Sequence, residues 1–204
     1  MGGDVPTDRG VAILLALIAA ALLSALGLGL SLLADTERQV AANDVLNDEC
    51  LYAANAALER AVQDLALNAD WNGIVSGAVT SAFADGTHQS KLSALRTIDL
   101  DGVTANLQSA SHAAFGPAGP VWHLFAWGPL SEMAAGRIRS TQYIAVWVAD
   151  DSSETDGNPG IDSNATLAVH AESYGSAGPR RIIDATVTRV APGALRMVSW
   201  RLGT

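Results

Sequence analysis

The hydrophobic residues of the chain are concentrated in one block near the N-terminus. From Val11 to Leu33 there is no charged residue, and only Ser24 and Ser31 are polar. An uncharged run of about 20 residues spans the apolar core of a bilayer as a helix. The block is also longer than the apolar region of a signal peptide, which has about 7–15 residues. Residues 11–33 are therefore predicted to form a transmembrane helix.

The same helix is predicted to continue beyond the apolar block. Residues 34–68 contain neither Pro nor Gly, and they are rich in good helix formers. Leucines recur every seven residues beside several alanines, which is typical of an amphipathic helix. Residues 34–69 are thus predicted to form the amphipathic half of one helix of about 55 residues. Its apolar stripe comprises Val45, Leu51, Ala54, Ala57, Leu58, Ala61, Val62 and Leu65, and its polar faces are marked by Asp48, Glu59, Gln63 and Asp64.

After residue 119 the pattern becomes that of β-strands. β-Branched and aromatic residues are frequent there, and apolar and polar positions alternate. Strands are predicted near residues 121–127, 141–148, 165–174, 180–190 and 195–202. They would form an antiparallel sheet with one face against the amphipathic helix, so the predicted fold class is α+β. Residues 70–204 form the predicted globular head, in which 71–119 are weakly patterned and predicted to be connecting structure, with one short helix or strand near 92–100.

Charge and composition exclude several classes of function. The chain has 12 basic and 21 acidic residues, a net charge of -9, whereas a nucleic-acid partner requires a basic face. The single cysteine, Cys50, excludes an intrachain disulfide and is predicted to be a small buried residue. The four histidines lack metal-ligand spacing, and no phosphate loop, nucleophile elbow or CxxC motif occurs. We therefore do not expect an enzyme.

A cluster of carboxylates separates two of the predicted strands. Residues 149–164 contain five carboxylates and no Lys or Arg. Calcium takes about 6–8 oxygen ligands from groups of this kind, although the spacing is not that of an EF-hand. The loop is either a calcium site or a solvated acidic hairpin loop. The candidate ligands are Asp150, Asp151, Glu154, Asp156, Asn158, Asp162 and Asn164.

The N-terminal region resembles that of a known family. Arg9-Gly10 before the apolar block looks like a prepilin peptidase site, cut between Gly10 and Val11. The stretches RGVAILLALIAAALLSALGLGL, ADTERQVAAND and LYAANAALERAVQDL then resemble the PilX family of minor pilins. The resemblance implies a type IV pilin-like fold, a leader at residues 1–10, and a subunit that primes or caps a type IV pilus. It also makes calcium in the acidic loop more plausible, because pseudopilins hold calcium in similar loops.

The resemblance implies partners and a location as well. The partners would be other minor and major pilins, the prepilin peptidase, the inner-membrane assembly platform and a tip adhesin. The protein would be inserted in the bacterial inner membrane with its head in the periplasm, and then move to the tip of the fibre. Two alternatives stay open: a minor pseudopilin of a type II secretion system, and a single-pass membrane-anchored periplasmic binding protein.

Three positions in the apolar helix bear on assembly. Leu15 occupies the fifth mature position, where most pilins have Glu, and the leader is acidic where basic leaders are usual. Gly27 and Gly29 weaken the helix locally, by about 1 kcal/mol each relative to Ala. Small side chains also permit close approach between helices. The two glycines are therefore either a point of local melting or packing contacts.

Overall fold

A computed structural model describes residues 7–93, 96–117, 119–133, 135, 137–154 and 156–203. The first six of the ten predicted leader residues lie outside the described residues. The α+β class is confirmed, with a long N-terminal helix and a C-terminal antiparallel sheet. The elements are α1 (Thr7–Leu67), α2 (Asn72–Val75), β1 (Gln89–Ser93), β2 (Arg96–Asp99), α3 (Leu100–Phe115), β3 (His123–Pro129), α4 (Leu130–Met133), β4 (Tyr143–Asp150), β5 (Thr166–Tyr174), β6 (Arg180–Ala191) and β7 (Ala194–Leu202).

The chain forms two compact units, Met1–Val45 and Leu46–Thr204. Within the first unit, α1 is exposed from Gly10 to Val45. The stretch Gly10–Leu67 has a window of mean hydropathy 2.7 and is long and apolar enough to cross a membrane. The polar Ser24 donates to the carbonyl of Ala20 at 2.8 Å, so its hydroxyl is satisfied within the helix. A helix that satisfies its own polar groups is the form that lipid tolerates.

The second unit is built on a five-stranded antiparallel sheet in the order β3-β4-β5-β6-β7. Each strand pairs with its neighbour in sequence, so short connections suffice. The central strands are regular: Tyr143 of β4 is opposite Tyr174 of β5, and Asp150 is opposite Leu167. The five strands predicted from β-prone apolar runs and from alternation are present, with ends that differ by a few residues.

One face of the sheet packs against the C-terminal part of α1. Ala53, Ala54, Ala57 and Ala61 are buried there, because small side chains allow the helix backbone to approach the strands closely. Leu58 and Leu65 fill the space between them and the apolar side chains of β4, β5 and β6. The stripe predicted from the leucine spacing is therefore the centre of the core. Cys50, at the start of the buried part, is buried as predicted and is a free thiol.

Two positions of the predicted helical pattern differ. Val45 was included in the apolar stripe but is exposed, because it precedes the part of α1 that contacts the sheet. Asp64 was assigned to a polar face but is buried. Its carboxylate pairs with Arg60 at 3.1 Å and accepts a short hydrogen bond from Ser81, so the buried charge is satisfied.

The opposite face of the sheet is covered by structure of which the sequence pattern predicted only one short helix or strand near 92–100, where β2 lies. The region 71–119 contains α3 and the antiparallel pair β1–β2, and not only connecting structure. The side chain of Trp147 in β4 donates to the hydroxyl of Thr104 in α3 at 2.7 Å. The prediction failed because α3 consists largely of small and polar residues and buries only Leu100 and Ser111. Such a helix has little apolar periodicity to detect.

The packing of α1 on the sheet yields a stability prediction. Leu58 is 1% exposed within the core, so Leu58→Ala should lower the free energy of unfolding by about 2–5 kcal/mol. The exposed Tyr52, 73% accessible on the same helix, provides the matched control, and Tyr52→Ala should change it by less than about 0.5 kcal/mol. Urea unfolding of the full chain in detergent, followed by tryptophan fluorescence, measures both. Equal losses in the two variants would contradict the assignment of the core.

Candidate functional site

The predicted processing site lies within α1. Gly10 and Val11 are both helical and exposed, and a Cβ on Gly10 would meet no atom within 4 Å. A side chain at position 10 would therefore point into open space. Cleavage at this bond stays a prediction, since the geometry neither requires nor opposes it.

The three assembly positions are also exposed on α1. Leu15 has its side chain in open space, and a Cβ added to Gly27 or Gly29 would meet nothing within 4 Å. Neither glycine is needed for packing within the described chain. Both are helical, so any local melting would have to occur in a different environment. Because Gly27 and Gly29 have no side chains, a second helix could approach α1 closely at these positions.

The acidic loop connects β4 to β5, between two strands as predicted. Asp150 is the last residue of β4 and is only 3% exposed. One carboxylate oxygen from each of Asp150, Asp151 and Glu154 lies within 4.8 Å of the other two. The group formed by these three carboxylates does not include Asp156 or Asp162.

Hydrogen bonds within the loop satisfy most of its acidic groups. Glu154 accepts from the backbone N–H of Ser163 at 2.8 Å and of Asn164 at 2.7 Å. The Asn164 side-chain amide donates to Asp151 at 2.7 Å. These contacts fold the end of the loop back onto its start. Farther out, Asp156 accepts from the N–H of Asn158, and Asp162 accepts from that of Thr166.

Asp150 is the most buried carboxylate among the described residues of the loop. Burial raises its pKa to about 7, and the negative charge of Glu154 adds to the effect. Its one hydrogen bond of good geometry comes from the N–H of Asp151 at 3.0 Å. Burial also raises the pKa of Asp162, with a smaller contribution from Glu154. In both residues the environment of the folded loop thus disfavours the ionised carboxylate.

Three of the seven predicted ligands could hold a cation together. A cation among Asp150, Asp151 and Glu154 would offset their repulsion, and calcium accepts carboxylate oxygens in irregular geometry. A proton on Asp150 would offset it too. Exposed acidic groups are also common without a metal, and here the loop's own donors satisfy two of the three carboxylates. Calcium binding thus stays a prediction.

A second group of buried charges lies on the α3 side of the sheet, and sequence reasoning did not identify it. His170 is held between two carboxylates, with Nδ1 2.6 Å from Asp184 and Nε2 2.8 Å from Glu172. Glu172 is completely buried and also accepts from the guanidinium of Arg180. Arg201 pairs with Asp184 at 3.3 Å. No local sequence pattern indicates this group. His170 and Asp184 are cross-strand partners, and they become neighbours only through the register of β5 and β6.

Hydrogen bonds determine the protonation of this group. Burial alone would raise the pKa of Glu172, but hydrogen bonds from His170 and Arg180 outweigh burial and lower it. Burial alone would lower the pKa of His170, but hydrogen bonds to Asp184 and Glu172 outweigh burial and raise it. A positively charged imidazole between two negative carboxylates is therefore the favoured state. The cluster connects β5 to β6 and is well suited to holding them in register.

Comparison with known proteins identifies no relative: no family model, no curated protein and no solved structure matches the chain. Functional inference therefore depends on the residues and their geometry.

The charge cluster predicts a pH dependence of stability. Because the folded state raises the pKa of His170, its contribution is complete below the ordinary histidine pKa of about 6.5 and is lost as pH rises through the folded value. The free energy of unfolding of the full chain should therefore fall as pH increases above about 6.5. His170→Gln should remove this part of the fall, whereas the exposed His112→Gln should retain it. Urea unfolding across the pH range measures the difference, and parallel curves for the three proteins would contradict the assignment.

The acidic loop predicts an effect of calcium on stability. At neutral pH and above, millimolar calcium should raise the thermal unfolding midpoint of the full chain in detergent, because a ligand that binds only the folded state stabilises it. Asp150→Asn should abolish the calcium-dependent increase. Glu59→Gln, which removes an exposed carboxylate from α1, should retain it. An identical midpoint for the wild-type protein with calcium and with a chelator would contradict calcium binding and favour the solvated loop.

Proposed function

We propose that this chain is a pilin-like assembly subunit, inserted in the inner membrane through the first part of α1 and carrying a periplasmic head. In this proposal a prepilin peptidase removes residues 1–10, and the mature subunit joins the tip of a type IV pilus, which it primes or caps. Its role is structural and not catalytic. Its partners are other minor and major pilins, the assembly platform and a tip adhesin.

The observation that carries the proposal is the difference in burial between the two parts of α1. The first part of α1 is apolar and exposed from Gly10 to Leu33, whereas the last part, from Cys50 to Leu65, buries one face against a sheet. A helix that serves only as a membrane anchor need not contribute residues to the core of the domain that it tethers. A subunit that assembles through its helix is expected to use the same helix both for assembly and in the core of its head.

The exposed surface of α1 supports assembly through helix packing. Small residues are frequent along the apolar part, and the open space around Gly27 and Gly29 leaves room for another helix. In lipid, close packing of small residues is a principal source of helix–helix affinity. Leu15 in place of the usual glutamate means that this subunit offers no carboxylate to the amine of a neighbour. A position at the tip is consistent with that difference.

Two other functions remain candidates. A minor pseudopilin of a type II secretion system would share the helix and the head, and calcium binding by the acidic loop would favour it. A single-pass membrane-anchored periplasmic binding protein would share the exposed apolar helix but would keep its N-terminus intact. The state of the N-terminus therefore separates assembly subunits from anchored proteins.

The proposal predicts the N-terminus of the processed chain. Expressed together with a prepilin peptidase, the protein extracted from membranes should begin at Val11, and without the peptidase it should begin at Met1. Gly10→Leu should block processing, whereas Gly27→Leu, a matched change on the same exposed helix, should be processed normally. Intact mass measurement distinguishes the products. A chain that starts at Met1 under both conditions would refute the pilin proposal and favour the anchored binding protein.

A further inference from the structure

The two edges of the five-stranded sheet differ. The edge of β3 is covered by residues 81–86: Ser81 donates to the carbonyl of Phe125 at 2.8 Å, and Asp85 donates to that of Trp127 at 2.9 Å. Ala84 forms a parallel bridge with Trp127. Strand β7 forms the other edge, and no described segment pairs with its outer side. Among the described residues, β7 is therefore the one open edge of this sheet.

The outer strand is long and unusually apolar for an open edge. Eight of its nine residues are exposed, and Leu195 is half-buried. Met197 is 43% exposed, Trp200 44% and Leu202 52%. Their partners in β6 are core residues of the α1 side of the sheet, so the three side chains form an apolar row on that side. The register with β6 shifts between Met197 and Ser199, so β7 contains a β-bulge at Val198. Natural edge strands often carry bulges or charged residues, because unpaired N–H and C=O groups bind other strands.

The opposite side of β7 is basic. Arg196 and Arg201 lie opposite Thr188 and Asp184 of β6, on the side away from α1. Arg201 shares Asp184 with His170, and no described acidic group pairs with Arg196. Residues 191–203 contain no Asp or Glu, although the whole chain has a net charge of -9. The open edge thus carries positive charge in an acidic protein.

We infer that β7 binds an extended segment of a partner protein in which apolar and acidic residues alternate, and that this segment adds a sixth strand to the sheet. The partner's apolar side chains would extend the row of Met197, Trp200 and Leu202. Its acidic side chains would lie beside Arg196 and Arg201 on the other side, where cross-strand pairs of opposite charge stabilise a sheet. Backbone hydrogen bonds supply affinity in this mode of recognition, and the alternating side chains supply specificity.

Charge argues against a second copy of β7 as the occupant. Antiparallel pairing of two β7 strands would bring two pairs of arginines to one side of the joined sheet, with one acidic neighbour, Asp184, in each copy. Like charges on neighbouring strands are destabilising. The inference also does not depend on the proposed function, because an anchored protein or a fibre subunit could bind a partner through this edge.

Binding of designed peptides tests the inference. The probe is a fluorescent nine-residue peptide of alternating Val and Glu, added to the full-length chain in detergent and followed by fluorescence anisotropy. Two control peptides replace every Glu by Lys, or the two central Val by Pro, which removes backbone donors. The acidic peptide should bind at least about tenfold more tightly than either control.

Charge reversal on the protein completes the test. The double variant Arg196→Glu/Arg201→Glu should reverse the preference, so that the lysine peptide binds more tightly than the glutamate peptide. The double variant Arg137→Glu/Arg139→Glu makes the same change in charge at exposed positions outside β7 and should bind as the wild type does.

Equal binding of the glutamate and proline peptides would overturn strand addition. An unchanged preference in the β7 variant would overturn β7 as the site, and a wild-type dimer that Trp200→Asp disrupts would assign the edge to a second copy.

Discussion

The contact between the C-terminal part of α1 and one face of the sheet is the constraint on which the rest of the structure depends. The row of buried alanines allows the helix backbone to lie close to the strands, and Leu58 and Leu65 occupy the centre of the shared core. The same helix, α1, also includes the exposed apolar stretch of residues 11–33. The sequence of α1 therefore combines a stretch that is long and apolar enough to cross a membrane with one that contributes to a packed core.

The head is held together differently on its two sides. On the α1 side the contacts are apolar, and on the α3 side aromatic residues surround a charged cluster. Trp122 and Trp147 both approach His170 edge-on, with ring centroids within 5.9 Å and 5.7 Å of it. A buried charge is costly unless it is paired, and here each charge of the cluster has an opposite partner. Within the cluster, His170 and Asp184 are direct cross-strand partners of β5 and β6.

Sequence reasoning predicted the elements whose pattern reflects burial. The leucine spacing identified the helix face that packs on the sheet, and β-prone apolar runs together with alternation identified the five strands. It did not predict α3. That helix consists largely of small and polar residues and buries only Leu100 and Ser111, so its sequence has little apolar periodicity. It also missed the partners of His170 and the burial of Asp64, since both depend on residues far apart in sequence. For the acidic loop it predicted seven ligands, of which Asp150, Asp151 and Glu154 form one group. The direction of each carboxylate depends on backbone turns that composition does not determine.

The central claim is that the first part of α1 lies in lipid while the last part belongs to the head, and cysteine accessibility measures this directly. In a chain with Cys50→Ser, single cysteines replace Leu22 or Arg38, both of which are exposed on α1. Intact cells with a permeable outer membrane are then treated with a maleimide that does not cross the inner membrane. The account predicts rapid labelling at position 38 and none at position 22 until detergent is added. Equal labelling of both positions before detergent would contradict it.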